Sequence, residues 1–131
     1  MVPLEITHTA LVTHDILNSI KLIGSNFSTI LIDLLLFFKS TYKDVFRMPD
    51  PPLHDPCAVA FVIDPSIFEY RLMRVDIELA SQHSYGQTIC DMYDMSKKRK
   101  NVHVCLRMNV DRFWQIMIDA IKSANSKVSL M

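Results

Sequence analysis

The chain has 131 residues, half of them hydrophobic, and its 14 basic and 14 acidic side chains leave no formal net charge. That length accommodates one domain with a core of its own, and the composition excludes a disordered chain and argues against a general polyanion binder. Two glycines are too few for a glycine-rich phosphate-binding loop.

The cysteines and the apolar stretches bear on the cellular compartment. Cys57, Cys90 and Cys105 lie in apolar surroundings without CxxC spacing, which is typical of a reducing compartment, so we expect an intracellular, cytoplasmic protein. The N-terminal residues show no basic segment followed by an apolar run, and hence no secretory signal. The most apolar stretch, Ile30 to Phe38, is far too short to span a bilayer, so no membrane partner is expected.

In chain order, the first third predicts an extended segment and two helices. β-branched residues favour a strand over Val2–Val12. Thr13 is a typical cap for a helix over Ile16–Ile23, and Gly24 ends that helix. A longer helix spans about Ser28 to Phe46. Its first half is apolar nearly all round, so we expect it to be covered on more than one side.

A proline-rich loop then leads into a short helix. Asp55 followed by Pro56 is a strong helix start, because Asp is a favoured N-cap and Pro is tolerated at the first helical position. The following residues, Cys57–Ile63, are almost wholly apolar, so we expect this helix to be buried. The next Asp-Pro pair ends it.

Alternating apolar and polar residues predict three strands in the second half: Met73–Leu79, Thr88–Tyr93 and Val102–Met108. Their short connections favour antiparallel pairing. The mixture of helices and strands indicates an α/β or α+β class, and the early element order resembles one edge of a wound α/β sheet.

Two further segments complete the prediction. The basic run Lys97–Lys100 lies between the last two strands, so a solvated hairpin tip is favoured over a nucleic-acid patch or a nuclear address. With zero net charge, no nucleic-acid partner is expected. An amphipathic helix begins at Asp111, and Ser123 to Met131 is expected to be a frayed tail.

His54 and Asp55 are the strongest candidates for chemistry. One interpretation is a helix cap preceded by a loop histidine. The functional alternative is a metal-binding carboxylate beside a general acid, since Asp suits calcium or magnesium and His can protonate a leaving group near neutral pH. Phe38 and Tyr42 lie one helical turn apart just upstream. Core packing is the default for both, although the polar tip of Tyr42 could also face a pocket.

The segment Pro51-Pro52-Leu53-His54-Asp55-Pro56-Cys57-Ala58-Val59-Ala60, followed by Ile63-Asp64-Pro65, resembles the C-terminal signature of the inosine/uridine-preferring nucleoside hydrolases. Flanking segments match that family in the same order: Val2-Pro3-Leu4 with Thr7-His8 before it, then Arg74 to Glu78, Gly86-Gln87-Thr88 and Phe113-Trp114. The resemblance covers about Val2 to Ser123 of a single partial domain over residues 1–131, with 124–131 as a tail.

The resemblance carries implications for fold and chemistry. It implies an open, mostly parallel, wound α/β sheet, of which this chain forms the C-terminal part with short antiparallel strands and a C-terminal helix. It also implies hydrolysis of the N-glycosidic bond of ribonucleosides, a calcium ion that holds the ribose hydroxyls and the attacking water, and a homo-oligomer. Asp55 would then be a calcium ligand and His54 the acid that assists departure of the base, while Tyr42 and Phe38 would contact substrate.

One departure from the family limits that expectation. The aspartate-rich N-terminal motif that supplies most of the calcium carboxylates has no counterpart in this chain. Calcium takes about six to eight oxygens, and a single carboxylate such as Asp55 offers at most two. We therefore predict that the chain alone neither binds calcium tightly nor hydrolyses nucleosides. A truncated hydrolase and a non-catalytic remnant that binds or oligomerises through an exposed apolar surface both remain open.

Overall fold

The computed structural model describes residues 1–128, with side chains up to residue 125. Its helices are α1 Leu4–Thr7, α2 His14–Lys21, α3 Asn26–Thr41, α4 Asp55–Ile63 and α5 Val110–Val128, with a π-turn at Tyr42–Phe46 and a 3-10 turn at Pro65–Ile67. The strands are β1 Phe68–Met73, β2 Val75–Ile77, β3 Thr88–Cys90 and β4 Val102–Met108. After the N-terminal segment, the expected succession of helices followed by strands and a last helix is therefore present.

The strands form two antiparallel pairs, β1 with β4 and β2 with β3, which confirms the expected antiparallel orientation. The other edge of β4 meets the start of the chain. The amino group of Met1 donates to the His103 carbonyl, and the Met1 carbonyl accepts from the Cys105 N–H. Bonds that flank Val104 in this way have the pattern of parallel neighbours. Strand β4 thus has an antiparallel partner on one side and a parallel neighbour on the other.

One main core lies between the helices and the β1–β4 pair. Helix α5 packs against α2, α3 and α4 and places Phe113, Trp114 and Ile121 in this core. A smaller apolar cluster forms where β1 passes into β2 and includes Met73, Val75 and Val104. The amphipathic pattern predicted for the last helix is confirmed, because its apolar face is the one that is buried.

The strand predicted over Val2–Val12 is wrong. Leu4–Thr7 forms a helical turn instead, in which the Pro3 carbonyl accepts from the N–H groups of Ile6 and Thr7. Only Leu11 pairs in a β-like manner, in a single bridge to Pro52. The β preference of Val, Ile and Thr is weak and yields to tertiary context, and here the segment turns inward to bury Ile6 and Ala10.

The predicted strand Met73–Leu79 is divided in the structure, and β1 precedes it. The side chain of Asn101 accepts from the Val75 N–H and donates to the Val75 carbonyl, so it takes the place of a neighbouring strand just after Arg74. The chain then leaves β4 and pairs with β3. Because β3 and β4 pair with different strands, the basic run Lys97–Lys100 is a loop and not the hairpin tip that was predicted.

The expected burial of α4 is also wrong. Cys57 and Ala60, three residues apart, face the core, whereas Val59, Val62 and Ile63 are 58, 81 and 63% exposed. An apolar composition made the whole helix look buried, but residues 1–128 supply cover for one face only. The boundary moves as well: Asp55 is the first helical residue, and the capping position belongs to His54.

Helix α3 likewise leaves large apolar side chains exposed. The predicted extent, Ser28 to Phe46, agrees with the helix and its π-turn. Leu35 is buried, but Ile30, Leu34 and Phe37 are each more than half exposed. The cover expected on more than one side is not supplied by residues 1–128.

The C-terminal prediction is corrected in part. The expected frayed tail is wrong for residues 123–128, because α5 continues to Val128, while 129–131 lie outside the described residues. None of the helices described is both long and apolar enough to cross a membrane.

Candidate active site

The loop before α4 is fixed to the N-terminal segment. The Val12 N–H donates to the Pro51 carbonyl at 2.9 Å, and the Leu53 N–H donates to the Ala10 carbonyl at 3.0 Å. Pro51 itself is fully buried. These bonds hold the residues after α1 against the proline loop, so His54 enters α4 beside α1.

The imidazole of His54 has a partner at each nitrogen. Nδ1 lies 2.7 Å from the Thr7 hydroxyl, and Nε2 lies 3.0 Å from the Tyr42 hydroxyl. The ring of His8 meets the His54 ring edge-on, with 5.5 Å between centroids. The ring is therefore held by side chains from α1, from the following turn and from the end of α3.

Tyr42 reaches His54 because α3 ends in an uncommon way. The π-turn widens the last turn of the helix and closes with Arg47 in the left-handed region, at φ 56°. Turns of this kind occur frequently at functional sites. The Phe46 ring packs 5.1 Å from that of Tyr42 on the same turn and supports it from the side.

The surroundings of His54 change its acidity. Burial lowers its pKa and the neighbouring His8 lowers it further, while Asp55 acts in the opposite direction. An imidazole with a lowered pKa is mostly neutral near pH 7, and it gives up its proton readily once it is charged. The second property suits a group that passes a proton to a leaving group.

Two cavities meet at His54 and Asp55. The smaller, about 230 Å³, is lined by aromatic, aliphatic and proline side chains: Leu35, Phe38, Tyr42 and residues 51–56. The larger, about 660 Å³, runs along the N-terminal segment and has more polar walls, including Glu5, Thr7, Gln87 and Thr88. The structure thus brings together all four residues singled out from the sequence, and their functional roles stay predictions.

The described residues do not form a calcium site by themselves. Within residues 1–128, no three His, Cys, Asp or Glu side chains gather in a way that could hold a metal ion. Nearby carboxylates have other partners: Asp50 pairs with Lys39 at 2.6 Å, and Asp64 accepts from Ser66. Asp55 is exposed and could provide one ligand.

Thr7 and His8 are contacts of His54 that sequence reasoning did not assign to the site. Both residues lie in the segment Val2–Val12, for which the sequence predicts a strand. The Thr7–His54 contact joins residues 47 positions apart. No local pattern reports such a contact, and the order of matching family segments was the only signal that could have suggested it.

Comparison with known proteins identifies the family of this chain. The family model described as inosine-uridine preferring nucleoside hydrolase matches residues 1–115. The chain is 52% identical over 127 residues to a "Probable ribonucleoside hydrolase" of Dictyostelium discoideum, covering 92% of this chain and 37% of that protein. It is 32% identical over 122 residues to the inosine-uridine preferring nucleoside hydrolase of Crithidia fasciculata, covering 93% and 39%.

Solved structures show the same fold. The purine-preferring ribonucleoside hydrolase of Gardnerella vaginalis superposes with a TM-score of 0.79 at 22% identity, covering 94% of this chain and 39% of that one. A plant nucleoside hydrolase gives 0.77 at 18% identity, over 91% and 39%. The expected α/β fold with short antiparallel strands and a C-terminal helix is thereby confirmed.

All of these matches cover most of this chain but only part of the relative. The chain spans about two fifths of the length of the relatives that it matches. On the strength of the family model, the chain belongs to the inosine-uridine preferring nucleoside hydrolase family.

Proposed function

We propose that this chain carries the proton-donating side of a ribonucleoside hydrolase active site, with His54 as the acid that assists departure of the base. The observation that supports this is the position of His54, hydrogen-bonded to Tyr42 at the edge of an aromatic cavity and next to Asp55. The names of the relatives include inosine-uridine preferring, purine-preferring and pyrimidine-specific enzymes, and they support ribonucleosides as the proposed substrate class.

The chemistry explains these residue types. Cleavage of a glycosidic bond builds positive charge on the sugar and negative charge on the departing base. A proton donor beside the base neutralises the negative charge that builds on the base, and it typically raises the rate by ~10²–10⁴-fold. Phe38 and Tyr42 offer aromatic surface to a flat base in the smaller cavity, and the Tyr42 hydroxyl lies 3.0 Å from His54 Nε2.

Asp55 is proposed as one ligand of a calcium ion. It borders both cavities, where the sugar and the base would meet. A hard cation at this point would supply charge for the ribose hydroxyls and for water. The remaining oxygen ligands would have to come from outside residues 1–128. We therefore expect no tight calcium binding and no turnover by this chain alone.

Titration calorimetry with calcium and an assay for release of hypoxanthine or uracil test that expectation. The purified chain should show neither a saturable calcium isotherm nor release above background. Calcium-dependent turnover that disappears in His54→Ala would show that the chain is active on its own, and the inactivity prediction would then be wrong. Turnover unchanged in His54→Ala would contradict the role assigned to His54.

Binding of a nucleoside tests the substrate pocket without turnover. We expect titration with inosine or uridine to shift the NMR signals of Phe38, Tyr42 and His54, and Phe38→Ala to weaken those shifts by removing the aromatic wall. Tyr85→Phe is a suitable control, because Tyr85 is an exposed tyrosine outside both cavities. Shifts confined to other parts of the chain would contradict the assignment of this cavity.

A non-catalytic binding module is the second candidate. It is favoured by the exposed apolar faces of α3 and α4, which residues 1–128 leave uncovered. The two candidates differ in a measurable way, since a binding module requires association and tolerates loss of His54.

A further inference from the structure

We propose that Thr7 is a positioning residue, whose hydroxyl fixes the His54 ring through Nδ1 and thereby leaves Nε2 as the nitrogen that exchanges protons on the Tyr42 side. The inference rests on the proposed role of His54 as the acid. Its basis is the distance of 2.7 Å between Thr7 Oγ1 and His54 Nδ1, together with the burial of Thr7, which is only 3% exposed. Water therefore competes little for this hydroxyl.

The direction of the hydrogen bond follows from the partners of Thr7. A threonine hydroxyl has one hydrogen to donate and two lone pairs to accept with. The Leu4 carbonyl lies 3.4 Å from Thr7 Oγ1, three residues back in α1, and accepts that hydrogen. With that hydrogen on the Leu4 carbonyl, the oxygen lone pairs are free for His54, and the proposed direction is from the Nδ1–H to Thr7.

The second nitrogen follows from the first. A neutral imidazole with hydrogen on Nδ1 has an acceptor at Nε2. The Tyr42 hydroxyl, 3.0 Å away, donates to it. All three groups are satisfied at once in this arrangement. When His54 is charged, its second proton resides on Nε2, next to Tyr42 and the aromatic cavity.

Thr7 is held firmly enough for this task. Its N–H donates to the Pro3 carbonyl at 3.1 Å, within a turn that buries Ile6. The bridge between Leu11 and Pro52 ties that segment to the loop carrying His54. The edge of His8 restrains the remaining side of the ring. Rotation of the imidazole would break two hydrogen bonds and a ring contact together.

The tautomer of His54 can be read directly by ¹⁵N NMR of the histidine rings at a pH well above the ordinary histidine pKa of about 6.5. We expect the intact chain to show hydrogen on Nδ1. Thr7→Ser keeps the hydroxyl and should keep this tautomer. Thr7→Val keeps the shape but removes the acceptor, so a substantial share of His54 should change to the Nε2–H form.

Thr9→Val is the matched control. Thr9 lies two residues further along, and its hydroxyl donates to the Ile6 carbonyl at 2.7 Å, so its removal costs a comparable backbone contact without touching His54. We expect this variant to retain the Nδ1–H signal. A merely structural role for Thr7 would leave the tautomer unchanged in Thr7→Val.

Two results would overturn the proposal: an Nε2–H tautomer in the intact chain, or the same tautomer in Thr7→Val as in the intact chain. If Thr7→Val fails to fold, the intact chain and Thr7→Ser still decide, because loss of the Nδ1–H form in either contradicts the assignment. The readout needs no turnover. An Nδ1–H signal in a chain in which inosine and uridine leave the NMR signals of His54 unshifted would overturn the proposed function alone.

Discussion

Phe113 is the largest of the fully buried side chains and lies in the main core, with its ring edge-on to Trp114 at 5.3 Å. We expect Phe113→Ala to lower the free energy of unfolding by about 3–5 kcal/mol, because it removes transfer free energy and leaves a cavity. Tyr93→Ala, at an 87% exposed aromatic, should change it by less than about 0.5 kcal/mol. Denaturant unfolding measures both, and equal effects would contradict this view of the core.

The three thiols should differ in reactivity. Burial raises the pKa of Cys57 to about 11 and raises that of Cys105 as well, while Cys90 is only half-buried. At about pH 8 roughly a thousandth of Cys57 is thiolate, and the thiolate is the reactive form. Mass spectrometry should find one rapidly alkylated cysteine, Cys90, in the folded chain and three in urea.

The matched variant for that experiment is Cys90→Ser, which should abolish the rapid phase. Rapid labelling of Cys57 in the folded chain would show that α4 opens readily, contrary to its packing against the core.

Asp76 links β2 to the loop before β4 through ion pairs. It accepts from Arg74 two residues earlier and from Lys98 at 3.3 Å. The Arg74 hydrogen bonds, helped by Lys98, lower the pKa of Asp76 from 3.8 to about 2. A carboxylate with a lowered folded-state pKa contributes stability that is present above about 3.8 and is lost as the pH falls towards 2.

Asp76→Asn should therefore lower the melting temperature at neutral pH. The difference in melting temperature between this variant and the unchanged chain should disappear between about pH 4 and pH 2. Asp33→Asn, at an exposed carboxylate of α3, is the control and should show no such convergence. Thermal unfolding followed by circular dichroism over that pH range measures both. A constant difference down to pH 2 would exclude the proposed linkage.

Elements with local signals could be predicted from the sequence. Thr13 caps α2 by accepting from the Ile16 N–H, Gly24 follows that helix at φ 70°, and alternation defined β4. The division between β1 and β2 could not be predicted, because it depends on the side chain of Asn101, 26 residues away from Val75.

The candidate site divides in the same way. His54 and Asp55 could be selected from adjacent residues, and Tyr42 from its place at the end of a helix. Thr7 depends on a contact across 47 positions, and the π-turn that brings Tyr42 to His54 leaves no mark in the helical periodicity. The sequence therefore indicated which side chains could act, while tertiary contacts determine how the imidazole is oriented.

Many large apolar side chains of α3 and α4 are exposed and not buried. The apolar residues of α3 at positions 27, 30, 34 and 37 follow helical spacing, so they share one face, and all are exposed to a third or more. Val59, Val62 and Ile63 of α4 add to the exposed apolar surface. Contiguous surface of this kind is typical of protein association sites.

We expect the exposed face of α3 to cause self-association of the purified chain. Size-exclusion chromatography with light scattering should give a mass above the 15.1 kDa of one chain, increasing with concentration. The double variant Ile30→Lys with Phe37→Lys should restore the monomer mass, because charges on that face would have to be desolvated on association.

The matched control is Leu79→Lys with Tyr93→Lys, since both residues are strongly exposed and lie outside α3. A compact monomer at all concentrations would contradict the binding-module candidate, and equal effects of both double variants would show that association does not depend on α3.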